Sequence, residues 1–250
     1  MKTKKFAKSG KSDRTISKGT VRDTTIVTQA YNADWQKKIK DQGRFALQER
    51  VYDALSRLFK DVLHERFEGR ILDVGAGDGS VTAVLNRHRG IRAQGIDISD
   101  GVNFETDPLP YRDSTFDIAI MYAVIEHLNN AGNIFSELRR VLKRGGKVII
   151  ITSNMDLSRR MVWDRNFYDD PTHVHPYNPT SMEHLLRLYQ FRKRFLGVWM
   201  VPRYSLIWKL PMNLQFHIGA LLPFRGMTKY VPFFLKGRSK SMMGVFENEK

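Results

Sequence analysis

The chain of 250 residues contains no cysteine. It therefore has no disulfide framework, no thiolate metal site and no cysteine nucleophile, and covalent catalysis through sulfur is excluded. A sequence without cysteine is compatible with a reducing compartment, and we expect a cytoplasmic protein.

Long apolar runs are also missing. The longest run without a charged residue, Leu210–Phe224, has 15 residues and contains two prolines. It is too short and too interrupted to cross a bilayer, which takes about 20 apolar residues. No apolar run follows the lysines near the start of the sequence, so no secretory signal is predicted.

Positive charge is abundant, and it is concentrated at the two ends of the chain. The net charge is +15, and residues 1–22 carry eight basic residues and one acidic residue, while residues 181–250 carry twelve and three. Basic segments attract polyanions, either an anionic membrane surface or nucleic acid. We predict a disordered basic tail over 1–22, because this segment has few apolar residues and many Lys, Ser and Thr residues.

The middle of the chain alternates between apolar runs and segments of helical periodicity. Apolar residues recur at helical spacing from Arg44 to Phe67, and we expect Gly69 to end this helix. Further helices are predicted at Ser80–Arg87, Ala131–Leu142 and Thr180–Tyr189, and strands at Ile71–Val74, Ile91–Ile96, Phe116–Tyr122 and Lys147–Thr152. Strands that are apolar on both faces and alternate with helices form a parallel sheet covered on both sides, so we predict a doubly wound α/β fold.

The turn after the first strand is rich in glycine and reads Gly75-x-Gly77-x-Gly79. In a doubly wound sheet, ligands bind beyond the carboxyl ends of the strands. The spacing differs from the dinucleotide fingerprint, whose third glycine comes three residues after the second. Asp73 precedes the turn, and a carboxylate there suits an amine-bearing or cationic ligand better than a pyrophosphate. A dinucleotide site remains the weaker alternative. Asp97 ends the second strand, where a carboxylate can accept two hydrogen bonds from a ribose diol.

Four motifs in order resemble those of the class I S-adenosylmethionine-dependent methyltransferases: "LDVGAGDGS", "GIDIS", "PLPYRDSTFDIAIMYAVIEHL" and "ELRRVLKRGGKVIII". The resemblance covers about residues 44–190. It implies S-adenosylmethionine as cofactor and a Rossmann-like, mostly parallel seven-stranded sheet with helices on both faces. It also implies two last strands at Phe191–Met200 and Ser241–Asn248. The methyltransferase domain would then comprise 23–200 and 241–250, with residues 201–240 as an insertion.

The resemblance also implies which residues hold the cofactor. Asp73 and Gly75 lie near the methionyl end in this family, and an acid at the place of Asp97 holds the ribose. The family usually has an acid at the end of its third strand that contacts the adenine amino group; Asn103 fits this position best, with Glu105 and Asp107 as alternatives. The predicted cofactor-binding residues are Asp73, Gly75, Ala76, Gly77, Asp97, Ile98, Asn103 and Tyr122.

Three histidines are candidates for catalysis, because methyl transfer often needs a base for the proton of the acceptor. His127 follows the strand at Phe116–Tyr122, and His173 and His175 lie in "YDDPTHVHPYNP". Prolines should keep that segment extended, which would place His173 and His175 on the same side. A capping or packing role is the alternative for all three. Asp169 and Asp170 are nearby, but two ligands and unplaced carboxylates fix no coordination geometry, so no metal site is predicted.

The methyl acceptor is the least constrained part of the prediction. No Asn-Pro-Pro-Tyr or Asp-Pro-Pro-Tyr sequence follows the strand at Phe116–Tyr122, which disfavours methylation of a base amino group. The sequence "PTHVHPY" resembles a segment of methyltransferases in surface-polysaccharide and lipid-linked glycan pathways, and this makes a sugar hydroxyl the leading acceptor. A glycan or other small-molecule acceptor is therefore expected. An RNA methyltransferase and a non-catalytic S-adenosylmethionine-binding protein are the alternatives.

Residues 201–240 combine Trp, Phe, Leu and Met with Lys and Arg. This composition is typical of an element that lies in a membrane interface. We expect it to contact an anionic membrane surface, at the inner face of the membrane. A packed cap over the active site or a dimer face are the alternatives. Nucleic acid is the less favoured polyanionic partner, and the sequence does not indicate an oligomeric state.

Overall fold

The computed structural model of the protein describes residues 44–154, 167, 170–198 and 241–250. The predicted basic tail at 1–22 and the predicted insertion at 201–240 lie outside the described residues. Within these residues, four α-helices and six strands follow in chain order: α1 Arg44–Leu58, β1 Gly69–Val74, α2 Ser80–Leu85, β2 Ile91–Ile96, β3 Phe116–Tyr122, α3 Gly132–Val141, β4 Leu142–Ser153, α4 Pro179–Leu188, β5 Phe191–Val198 and β6 Ser241–Asn248.

The strands form one sheet in the order β2-β1-β3-β4-β6-β5. Strands β1 to β4 are parallel, and β6 runs antiparallel to both β4 and β5. The strand order reverses at β1, which has β2 on one side and β3 on the other. The carboxyl ends of β1, β2, β3 and β4 therefore meet at one edge of the sheet, where doubly wound folds bind their ligands. The predicted doubly wound α/β fold is confirmed.

Alternate residues of the central strands are buried in two separate cores. Ile150 of β4 packs in the same core as Leu138 of α3 and Leu186 of α4. Its neighbour Ile149 packs on the opposite face with Leu55 of α1. This is the burial pattern of a parallel sheet that is covered by helices on both sides, and it explains why the strand sequences are almost continuously apolar.

The first helix ends earlier than the apolar spacing predicts. After α1 the chain forms one π-helical turn, Phe59–Leu63, and leaves it at His64, whose φ of 56° is left-handed. Phe67 is buried although it lies outside the helix, and its ring centroid is 5.1 Å from that of Phe59. Gly69, which was expected to end the helix, is instead the first residue of β1. The apolar spacing extends to Phe67 because this residue, although it lies after the helix, is buried in the same core as the helix.

The predicted seventh strand is not confirmed, since the described residues form six. A strand ending at Asn103 was expected between β2 and β3, but residues 101–115 form turns. The chain before Asn103 forms the short helix Ile98–Asp100 and leaves it at Gly101, whose φ of 83° is left-handed. The backbone N–H of Asn103 donates to Asp107 Oδ2, so a side chain occupies a backbone group that a strand ladder would use.

Candidate active site

The glycine turn joins β1 to α2 at the carboxyl edge of the sheet. Gly75, Gly77 and Gly79 all have positive φ, at 72°, 57° and 74°. The N–H groups of Gly75 and Ala76 both donate to the carbonyl of Ile96, at 2.8 and 3.1 Å, so the turn is fixed against the end of β2. Three left-handed residues within five positions account for the glycines, because other residues pay about 1–2 kcal/mol for this conformation.

Asp97 follows β2 and is connected to the glycine turn. Its Oδ2 accepts a hydrogen bond from the N–H of Gly77 at 3.0 Å, and its Oδ1 accepts one from the N–H of Ser99 at 3.1 Å. Asp100 Oδ2 accepts from the N–H of Asp97, which completes the cap of the short helix Ile98–Asp100. The carboxylate is thus held next to the glycine turn, and each of its oxygens can accept a further hydrogen bond from a diol.

Asp73 lies near the end of β1 and is 2% exposed. Burial raises the pKa of its carboxyl from 3.8 to about 6, and the nearby Asp97 adds to the rise. The Thr82 hydroxyl donates to Asp73 Oδ2 at 2.7 Å, and this hydrogen bond acts in the opposite direction. The carboxyl is therefore buried between the end of β1 and the start of α2, and a cation next to it would stabilise its ionised form.

The remaining predicted cofactor residues lie along the same edge. Ile98 is 49% exposed beside Asp97, and Tyr122 is the last residue of β3. Asn103 lies in the turn that replaces the expected strand, where its Oδ1 accepts a hydrogen bond from the N–H of Glu105. Glu105 in turn accepts from Asn129, and Asp107 accepts from the N–H of Asn103, so all three adenine candidates are part of the loop network. Their contact with adenine stays a prediction.

A cluster of three titratable residues follows β3. One ligand atom from each of Glu126, His127 and His173 lies within 4.8 Å of the other two. The rings of His127 and His173 are 4.8 Å apart between centroids. Residues 126 and 173 are brought together by the backbone, because the N–H of Val174 donates to the carbonyl of Glu126 at 2.9 Å. We call Glu126, His127 and His173 the Glu-His-His cluster.

Hydrogen-bond partners fix the ring protons of both histidines in the cluster. Thr172 Oγ1 lies 2.6 Å from Asp170 Oδ1 and 2.9 Å from His127 Nδ1. Since the carboxylate only accepts, the hydroxyl donates to Asp170 and accepts from His127. His173 Nδ1 lies 2.8 Å from the carbonyl of Phe167, which also only accepts. We assign the proton of each neutral ring to Nδ1, which leaves the lone pair on Nε2.

Glu126 is the most deeply buried member of the cluster. The residue is 2% exposed, and its Oε2 has no hydrogen-bond partner in the part of the chain that the structure describes. Burial raises the pKa of Glu126, while His127 and His173 lower it. The Thr152 hydroxyl also lowers this pKa, although no hydrogen bond to Oε2 or Thr152 Oγ1 forms within normal distance. Burial raises the pKa of Tyr177 to about 12, with Glu126 as a second cause.

His175 makes different contacts from His173. Its Nε2 lies 3.0 Å from the carbonyl of Asn129, and its side chain is exposed. The predicted pairing of His173 with His175 is therefore replaced by a pairing of His173 with His127. Glu126 was not among the predicted site residues, and a carboxylate next to a histidine after a strand was the one signal for it. A role of His127, His173 or His175 in catalysis stays a prediction.

A family model described as a methyltransferase domain matches residues 44–194. Among similar proteins, norajmaline N-methyltransferase from Rauvolfia serpentina is 26% identical over 149 residues, which are 52% of this chain and 47% of that protein. The ubiquinone/menaquinone biosynthesis C-methyltransferase of Geobacter sulfurreducens is 26% identical over 151 residues, 47% of this chain and 59% of that protein. The chain spans about half the length of the curated relatives it matches.

Solved structures share the fold at low identity. The protein bound to the Trm112 methyltransferase activator of Haloferax volcanii has a TM-score of 0.56 and 13% identity, and the match covers 88% of this chain and 97% of that chain. A [4+2]-cyclase has a TM-score of 0.50 and 16% identity, with 82% of both chains covered. Within the described residues, no helix is long and apolar enough to cross a membrane.

The sheet order and the glycine turn define a Rossmann-like fold of the class I methyltransferase type. The chain belongs to the methyltransferase-domain family, since the family model covers more than half of it. These findings confirm the predicted enzyme class and S-adenosylmethionine as the cofactor of the domain.

Proposed function

We propose that the protein transfers a methyl group from S-adenosylmethionine to a hydroxyl oxygen. The observation that supports this proposal is the Glu-His-His cluster, which follows β3 at the same edge of the sheet as Asp73 and Asp97. A hydroxyl is a weak nucleophile until its proton is removed or shared, and this cluster supplies the titratable groups for that task.

A sugar or a lipid-linked glycan is the acceptor that we propose. Support comes from the segment Pro171–Tyr177, whose sequence resembles glycan-pathway methyltransferases and whose backbone is bonded to Glu126. The basic, aromatic composition of residues 201–240 suits contact with an anionic membrane surface, where lipid-linked acceptors are found. In this proposal residues 23–200 and 241–250 form the catalytic domain.

Carbon methylation is the second candidate function. It is favoured by the similarity to ubiquinone/menaquinone biosynthesis C-methyltransferases from two organisms. An aromatic carbon next to a hydroxyl also becomes nucleophilic when that hydroxyl ionises, so the same cluster could serve it. The position of the label in the product distinguishes the two candidates.

The test is methyl transfer from labelled S-adenosylmethionine to extracts and to purified glycan and quinone acceptors. We expect a labelled product in which the new methyl is bound to oxygen. His127→Ala should lower its formation by roughly 10²-fold or more while S-adenosylhomocysteine affinity is kept. His184→Ala, on the exposed side of α4, is the matched control and should leave transfer unchanged. Cofactor binding without any labelled product would indicate a non-catalytic binding protein instead.

A further inference from the structure

The ligand atoms of the Glu-His-His cluster form the donor set of a metal site. Two imidazoles and one carboxylate make up a known zinc-binding set, in which a fourth position stays open for water or substrate. The three ligand atoms lie within 4.8 Å of one another. Tetrahedral bonds of about 2.0–2.1 Å would bring them to roughly 3.4 Å, so small side-chain movements of about 1 Å are enough.

Hydrogen bonds around the cluster have the pattern that metal-binding histidines need. A ligand histidine usually donates its second ring N–H to a carbonyl or another acceptor, which fixes the tautomer. His127 donates from Nδ1 to Thr172, and His173 donates from Nδ1 to the carbonyl of Phe167. Asp170 holds the Thr172 hydroxyl in its accepting orientation. Both Nε2 atoms therefore keep a lone pair for an ion, and that of His173 lies 3.7 Å from Asp170 Oδ2.

The buried carboxylate of Glu126 supplies an independent observation. A buried polar atom without a partner costs free energy, and native structures contain few of them. Glu126 is 2% exposed and its Oε2 has no partner among the described residues. A cation bound between Glu126 and the two histidines would give this carboxylate its missing partner.

We propose that Glu126, His127 and His173 bind one divalent transition-metal ion of the zinc type. Two imidazole donors favour Zn²⁺ over the oxygen-preferring ions Mg²⁺ and Ca²⁺. The site rests on the proposed function for its role, which is to bind the acceptor hydroxyl at its open position. The coordinated hydroxyl then releases its proton to solvent water. Its oxygen forms the new bond to the methyl carbon as the sulfonium carbon–sulfur bond breaks, and S-adenosylhomocysteine leaves.

The test is metal binding by the full chain after dialysis against a chelator. Titration with Zn²⁺ by calorimetry, and with Co²⁺ by visible absorption, should show one ion per chain with micromolar or tighter affinity. Mg²⁺ and Ca²⁺ should not compete. Glu126→Gln, His127→Ala and His173→Ala should each weaken Zn²⁺ binding by at least about tenfold. His175→Ala is the matched control, because its ring lies in the same segment but contacts Asn129, and it should bind Zn²⁺ as the wild type does.

Binding of S-adenosylhomocysteine to the same samples shows that each variant is folded and keeps the two proposals apart. The metal proposal is overturned if the folded wild type binds no stoichiometric Zn²⁺, or if all three cluster variants keep wild-type affinity. Methyl transfer that persists in the metal-free protein would overturn the metal's catalytic role and leave the proposed methyl transfer intact. Stoichiometric Zn²⁺ binding without methyl transfer to any acceptor would support the site and overturn the proposed function.

Discussion

Asp73 shows how one residue can link stability to ligand binding. It is buried at the end of β1, and its pKa of about 6 lies above the ordinary value of 3.8 because the ionised form is desolvated. The folded protein therefore holds this proton at pH values where the unfolded chain has lost it. The carboxylate is unfavourable in the absence of a cation, and an amine-bearing ligand would relieve that cost.

We predict a pH-dependent effect of Asp73→Asn on stability. Since the folded pKa is the higher one, the contribution of Asp73 to the free energy of unfolding is greatest below about pH 4 and falls until about pH 6, by roughly 3 kcal/mol. The stability of the variant relative to wild type should therefore rise by about this amount between pH 4 and pH 7. Denaturant unfolding at several pH values measures it. A difference that does not change with pH would contradict the burial argument.

The same variant should bind S-adenosylhomocysteine more weakly. A neutral amide cannot compensate the positive amino group of the methionyl end that we predict near Asp73. If Asp73→Asn is more stable than the wild type at neutral pH and also binds the ligand more weakly, the carboxylate serves binding rather than stability. Calorimetric titration measures the affinity.

The turn between β1 and α2 allows a matched comparison of two glycines. A Cβ on Gly75 would overlap the side chain of Val124, whereas a Cβ on Gly77 would meet nothing within 4 Å. Both positions have positive φ, so both carry the left-handed cost of about 1–2 kcal/mol. A side chain at position 75 is thus disfavoured by packing against the segment after β3 as well as by the backbone conformation. At position 77 it is disfavoured by the backbone conformation alone.

We predict that Gly75→Ala destabilises the fold more than Gly77→Ala. Adding Val124→Ala should recover part of the loss in the Gly75 variant and none in the Gly77 variant, because only the first contains the overlap. Gly77→Ala should also weaken S-adenosylhomocysteine binding, because relief of the left-handed strain moves the backbone N–H that holds the predicted ribose acid Asp97. Thermal unfolding measures the loss of stability, and calorimetry measures the loss of binding, in the wild type, the two glycine variants and the two double variants with Val124→Ala. Equal destabilisation by the two alanines would contradict the packing argument.

The elements of this sheet differ in how well their sequences predict them. The buried strands β2 and β3 have the predicted bounds, because an apolar run bounded by polar residues is a local signal. Strand β6 has the bounds that the family resemblance implies. The expected strand ending at Asn103 is absent from the described residues because the side chains of Asp97 and Asp100 cap a short helix, Ile98–Asp100, in its place. The predicted end of the first helix was wrong because Phe67 reaches the core from a non-helical segment.

The sequence predicts the cofactor side of the candidate site better than it predicts the grouping of the histidines. Asp73 and the glycines belong to one contiguous strand-turn-helix motif, and Asp97 follows the next strand. A hydrogen bond from the N–H of Gly77 to Asp97 joins the two segments. The grouping of Glu126 and His127 with His173 depends on backbone hydrogen bonds between segments about 47 residues apart. Spacing along the chain could only pair His173 with His175, its nearest histidine.

At the scale of the whole molecule, the charge is the feature that the described fold does not explain. The excess of basic residues lies at 1–22 and 181–250, while the segment between them is nearly neutral. Membrane and RNA are both polyanionic, so salt sensitivity alone does not separate them. The apolar residues of 201–240 distinguish the two partners, because a stacking surface for RNA needs far fewer aliphatic side chains.

We predict co-sedimentation with anionic liposomes, with a fraction that survives high salt because apolar burial is not screened. Replacing Trp208, Phe233 and Phe234 by serine should remove this salt-resistant fraction and keep the salt-sensitive one. Neutral liposomes are the control for charge, since each basic residue near an anionic surface contributes on the order of 1 kcal/mol. Failure to bind liposomes together with binding of structured RNA at physiological salt would make an RNA methyltransferase the better account.

The most direct test of the central claim is calorimetric titration of the wild type with S-adenosylhomocysteine and with NADH. We predict that S-adenosylhomocysteine binds and NADH does not. Asp97→Ala should weaken the binding by at least about tenfold, because a charge-assisted contact worth roughly 1.5–3 kcal/mol is lost. Asp113→Ala, which removes a carboxylate that pairs with Arg140, is the control and should bind as the wild type does. Binding of NADH without S-adenosylhomocysteine, or an unchanged affinity in a folded Asp97→Ala protein, would contradict the cofactor site described for the glycine turn.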